Sequence, residues 1–146
     1  NRGVVYEESD NLQDFWNILE EVLVSRHGCS PVHSVEEMKR LKGLFPSNIR
    51  LFVAKADGCV IAGTLVYETS QVAHAQYIAA SKEGRASGAL DGLFCYLISE
   101  VFAEKKYFDF GISTEQGGRY LNEGLAFQKE GFGARAVVYD TYSIKL

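Results

Sequence analysis

Apolar residues recur along this chain with two periods, and the switch between them separates helices from strands. Leu12, Phe15, Trp16, Leu19 and Leu23 repeat at helical spacing and form one apolar face. Asp10 and Gln13 stand at capping-box spacing, which predicts a helix that starts at Asp10 and fades by Gly28. Val4 to Tyr6 reads as a short strand before it. Ser34 and Glu37 repeat the capping box, and Val35, Met38, Leu41 and Phe45 make a second helical stripe that stops at Pro46.

From Ile49 the pattern becomes that of a sheet. Ile49 to Lys55 is one strand, Asp57-Gly58 a tight hairpin turn, and Cys59 to Glu68 the return strand. That return strand is apolar on both faces and so belongs in the middle. Val72 to Ala79 is a third strand after a turn near Ser70. Leu90, Leu93, Phe94, Leu97, Ile98, Val101 and Phe102 then fit one continuous helix, with Asp91 near its start and Lys105 and Lys106 at its end. Tyr107 to Gly111 reads as a strand parallel to the third, since a helix joins them. A last helix is expected from about Gly118 to Glu130, ended by Gly131 and Gly133. Ala134 to Leu146 alternates and is expected to close the sheet. The order predicts an α/β (α+β) fold in a single domain, residues 1–146, with a mixed, mostly antiparallel sheet flanked by helices.

Composition narrows the function. The 146 residues are 47% hydrophobic and 23% charged, ordinary values for a globular domain with a sizeable core. A net charge of −4 argues against broad phosphate-backbone binding, so no nucleic-acid partner is expected. No apolar run approaches the roughly 20 residues of a membrane span, and none is expected. The chain opens with Asn1 and Arg2 without an initiator Met and lacks the basic-then-apolar pattern of a secretory leader, as expected of a fragment or trimmed chain. A cytoplasmic location is expected from its cysteine usage. Cys29, Cys59 and Cys95 are odd in number and far apart, and are expected to be buried, reduced thiols. His27, Cys29 and His33 fit no zinc spacing, so no metal is expected.

Three places carry candidate chemistry. Ser81 to Ala89 joins the third strand to the long helix and is rich in small residues. Backbone N–H groups at a helix start favour phosphate, Gly88 and Ala89 permit close approach, and Arg85 can pair with an anion. On the third strand, alternation places His74 and Gln76 on one face with Val72 and Ile78. An imidazole can take up a proton near neutral pH, and Glu68, ending the preceding strand, is a second candidate base. The segment between the first two helices, with His33, is a candidate substrate-binding loop.

A meander followed by a phosphate-type loop that opens a helix resembles the centre of the GNAT acyltransferase fold. The pyrophosphate loop of that family reads Gln/Arg-x-x-Gly-x-Gly/Ala. Arg85 and Gly88 match its first two positions, and Leu90 stands at the third with Ala89 adjacent. The stretch Phe108-Asp109-Phe110-Gly111, followed by Leu121-Asn122-Glu123-Gly124-Leu125 and Phe127-Gln128-Lys129-Glu130-Gly131-Phe132-Gly133, resembles the branch related to Fem-type peptidoglycan bridge transferases.

The resemblance implies acetyl-CoA or another acyl-CoA as donor, held by backbone at Tyr77, Ile78 and Ala79 and by Arg85, Ala86, Ser87, Gly88 and Ala89. It implies that Asn122 and Phe127 border the cofactor, and that His33, Gln76, Glu115 and Lys129 border the acceptor. Many family members carry a Tyr at the position of Phe127 that protonates the leaving thiolate. Phe127 has no hydroxyl, and Tyr120, two turns earlier, is the candidate substitute. The expected activity is N-acyl transfer, chiefly N-acetyl transfer, to an amine of a small molecule, amino sugar or peptide, with a homodimer compatible by analogy. Two alternatives stand beside it: a Fem-type aminoacyl transferase lobe, and an inactive GNAT-fold binding module.

Overall fold

A computed structural model of the chain describes residues 3–144. By internal packing these form two compact units, one ending at Gly111 and one starting at Ile112. The first holds a five-stranded sheet in the order β1 (Val4–Ser9), β2 (Ile49–Ala56), β3 (Cys59–Glu68), β4 (Val72–Ala80), β5 (Tyr107–Asp109). The first three pairings are antiparallel and β4 runs parallel to β5, as the intervening helix requires. Asp57 and Gly58 both take positive φ (48° and 79°), the backbone that a two-residue hairpin needs.

Helices cover both faces of this sheet. On one side lie α1 (Leu12–His27) and α2 (Val35–Leu44), which bury Phe15, Trp16 and Met38 against Leu51, Val53 and Leu65. On the other, α4 (Ala89–Tyr96) brings Ala89 against Ala54, Ala62 and Ala80. The short α3 (Lys82–Ser87) lies flush on β3, because a Cβ at Gly84 would strike the Ile61 carbonyl. Full burial of side chains as large as Phe15 and Trp16 stabilises by about 2–3 kcal/mol each.

Several boundaries differ from the sequence reading. The α1 cap is Asn11, whose side chain accepts from Gln13 N and Asp14 N, while Asp10 pairs with Lys42 at 3.1 Å. The predicted capping box of Ser34 and Glu37 is present. The long helix runs on to Val101, but after Tyr96 it widens over Leu97–Val101, where the Phe102 N–H reaches the Leu97 carbonyl at 2.8 Å. All three cysteines are exposed rather than buried, since they fall at a loop, a strand start and the outer face of α4.

The second unit holds a small ladder of β6 (Thr114–Glu115) and β7 (Tyr120–Leu121), followed by α5 (Glu123–Gly131). This helix starts later than expected. Gly117 and Gly118 take positive φ, which a right-handed helix excludes, and Asn122 is its cap, accepting from Leu125 N at 3.0 Å. The expected closing strand is also corrected. Residues 134–144 form no ladder, and Val137, Val138, Tyr139, Tyr142 and Ile144 are exposed. Alternation marks a segment able to be a strand, but the ladder partner makes it one. Lys145 and Leu146 lie outside the described residues.

Candidate active site

The register of β4 builds the site. Residues opposite one another in a ladder share a face of the sheet. Tyr67 opposes His74, and Leu65 opposes Tyr77. Both Tyr67 and Leu65 belong to the core under α1 and α2, so His74 and Tyr77 lie on that face. Ala75 and Ile78 oppose Val66 and Thr64 and lie on the other. Between them Gln76 is an extra residue, a β-bulge where the register slips. The expected face of Val72, His74, Gln76 and Ile78 is therefore corrected: the bulge breaks the alternation and exchanges Ile78 for Tyr77.

β5 pairs with β4 only from Val72 to His74. Beyond His74 the outer edge of β4 has no ladder partner among the described residues. At this last paired position His74 Nδ1 lies 2.8 Å from Asp109 Oδ2, and the pair is partly open to solvent, at 32% and 47% exposure. The other carboxylate oxygen accepts from the Gly111 N–H at 2.8 Å, which holds the group in place. A tautomer with Nδ1–H toward Asp109 leaves Nε2 as the basic nitrogen. Sequence reasoning singled out His74 but gave Asp109 no role. The only signal was its place at a strand end predicted to run parallel to the strand of His74.

Tyr77 forms a second polar couple on the same face. Its hydroxyl lies 2.7 Å from His33 Nδ1, and its ring stands edge-on to Trp16 at 5.2 Å. Burial pushes the Tyr77 phenol above its ordinary pKa, against the His33 contact and helped by Glu37. Trp16 is fully buried and its indole N–H has no hydrogen-bond partner among the described residues.

Glu68 is held differently. Its two oxygens meet Lys105 Nζ at 2.7 Å and Arg50 Nη1 at 2.9 Å. Burial alone would raise its pKa, but the hydrogen bonds from Lys105 and Arg50 outweigh this and hold it below the ordinary carboxylate range. Both oxygens are occupied, and the group is a weaker base than a free carboxylate.

Ser81 to Ala89 is a short helix rather than an open loop. Ser81 caps α3, Ala86 and Ser87 lie in its last turn, and Gly88 ends it at φ 65°. The same Gly88 starts α4, whose N-terminus carries no side-chain cap. Arg85 donates from Nη1 to the Ala80 carbonyl at 2.6 Å. Tyr77, Ile78 and Ala79 form the part of β4 just past the bulge.

The remaining predicted residues belong to the second unit. Asn122 Nδ2 donates to Glu115 Oε1 at 2.7 Å, and buried Lys129 donates to the Ile112 carbonyl at 2.6 Å. Tyr120 and Phe127 are exposed, Phe127 at 79%.

The family profile for the acetyltransferase (GNAT) domain matches residues 2–120. Among solved structures, an aminoglycoside acetyltransferase from an uncultured soil metagenomic sample, in complex with sisomicin, is 15% identical with a TM-score of 0.64 and covers 97% of each chain. A GNAT family acetyltransferase from Elizabethkingia anophelis with acetyl-CoA bound is 14% identical, with a TM-score of 0.61 over 94% of this chain and 80% of that one. FemX is 15% identical with a TM-score of 0.68, over 88% of this chain but 50% of its own. No curated protein sequence matches. No helix among the described residues is long and apolar enough to cross a membrane. With more than half of its length matched by the profile, the chain belongs to the GNAT acetyltransferase family.

Proposed function

We propose that the chain transfers an acetyl group from acetyl-CoA to a primary amine of a small molecule, amino sugar or peptide, with His74 as general base and Asp109 as its positioning partner. The observation that carries this is the 2.8 Å contact between His74 and Asp109 where β4 and β5 cease to pair. Asp109 fixes the ring and stabilises the imidazolium, while Nε2 accepts the proton of the attacking ammonium. Glu68 is not needed in that role, because two cations occupy it.

The start of α4 suits the donor's phosphates. Gly88 adds no side chain, the helix N-terminus carries no cap, and its N–H dipoles favour negative charge. When bound, the donor supplies an activated thioester carbonyl. The free edge of β4 past Gln76 would hold it, with backbone N–H groups among Tyr77, Ile78 and Ala79 facing the developing oxyanion. The bound sisomicin of the metagenomic enzyme and the bound acetyl-CoA of the Elizabethkingia protein support an amine acceptor and this donor.

The test is thermal unfolding with and without acetyl-CoA, CoA and ATP, followed by acetylation of a panel of amines. A ligand at 100-fold excess over its Kd raises stability by about 2.7 kcal/mol. A shift with acetyl-CoA and CoA, reduced in Arg85→Ala, supports the proposal. No shift with either would sink it. Binding of charged tRNA instead would favour aminoacyl transfer, and CoA binding without turnover would favour a binding module.

A further inference from the structure

The proposed reaction must put a proton on the departing sulfur, because a thiolate is a poorer leaving group than a thiol. Phe127 offers no hydroxyl. Two phenols stand on the α1–α2 face beside the bulge. Tyr67 points its hydroxyl at the Met38 sulfur, 3.9 Å away, into the core. Tyr77 points its hydroxyl at His33, a group that can return a proton. The order along β4 also separates the two roles. The phosphate-type segment begins after Ala80, Tyr77 comes next, and His74 lies on the far side of the bulge. A donor laid along the free edge with its phosphates at α4 therefore has the phenol on its own side and the imidazole on the acceptor's.

We propose that Tyr77, backed by His33, is the acid that protonates the departing thiolate. The step balances: one ammonium proton passes to His74 Nε2 and frees the lone pair, the N–C bond forms and the C–S bond breaks, and the second N–H proton of the adduct leaves to solvent. The sulfur takes the Tyr77 Oη proton, and solvent restores it through His33. Packing against Trp16 fixes the phenol in place, so its direction costs no reorganisation at the moment of reaction. The inference rests on the acetyl-transfer reading above.

The experiment compares wild type with Tyr77→Phe and His33→Ala on two donors: acetyl-CoA, and p-nitrophenyl acetate, whose leaving group needs no proton. The expected result for Tyr77→Phe is a kcat loss of about 10²-fold or more with acetyl-CoA, nearly abolished with p-nitrophenyl acetate, and an unchanged melting temperature. In the unliganded protein, nitrogen NMR of the His33 ring should show Nδ1 hydrogen-bonded, and Tyr77→Phe should erase that signature. An equal loss on both donors, or no loss on either, overturns the acid role while leaving acetyl transfer standing. A wild type that binds acetyl-CoA but acetylates no amine and releases no thiol overturns the reading on which it rests.

Discussion

Two carboxylates near the same end of the sheet, Glu68 and Asp109, meet opposite kinds of partner. Glu68 sits between Arg50 and Lys105, each of which donates to one of its oxygens. Asp109 gives one oxygen to the ring of His74 and the other to a backbone N–H. A carboxylate shared by permanent cations loses basicity and becomes a strut. A carboxylate against an imidazole orients the ring and steers its free nitrogen. A carboxyl group's place in chemistry or in stability is set by what stands opposite, which residue type alone does not reveal.

That contrast can be broken by substitution. The largest effect is expected from His74→Ala, which should lower kcat by about 10²- to 10⁴-fold with little change in melting temperature. Steady-state kinetics and a thermal melt check both halves, and wild-type turnover would remove His74 from the mechanism. Asp109→Asn should cost less, roughly tenfold in kcat, because the ring loses the carboxylate that orients it. A kcat identical to wild type would show that Asp109 serves only the fold.

Glu68→Gln should do the reverse, leaving kcat near wild type and lowering stability by about 1–2 kcal/mol in denaturant titration. Its pH dependence follows from the lowered pKa. The Glu68 contribution is complete above its ordinary value near 4.5 and is lost as pH falls through the lower folded-state value. The stability gap between wild type and Glu68→Gln should be constant above about pH 5 and close below pH 4.5. A gap that persists at low pH would mean that packing, not charge, is what Glu68 contributes. The smallest effect concerns the thiols: Cys29, Cys59 and Cys95 should all react with a thiol reagent in the native protein, with little change in its melting temperature.

Much of the fold was legible because period and turn chemistry are local. The stripe of Leu12, Phe15, Trp16 and Leu19 became the buried face of α1, and Asp57-Gly58 became the hairpin. Boundaries were less legible. Asp10 and Asn11 are both good caps, and Lys42, distant in sequence, drew Asp10 away. The last strand was overread, since Ala134 to Ile144 alternates without a ladder partner.

For the site, the sequence by itself determined the supply of groups: an imidazole at His74, a phenol at Tyr77, a glycine at the start of α4, and no hydroxyl at Phe127. Only the tertiary structure decided how they meet. The bulge at Gln76 moved Tyr77 onto the face of His74, the parallel register delivered Asp109 across 35 positions, and the turn of α1 into α2 brought His33 to Tyr77 across 44. Local spacing is written in the period of side chains along one element. Partners across a sheet depend on register, and a one-residue slip reassigns every face beyond it.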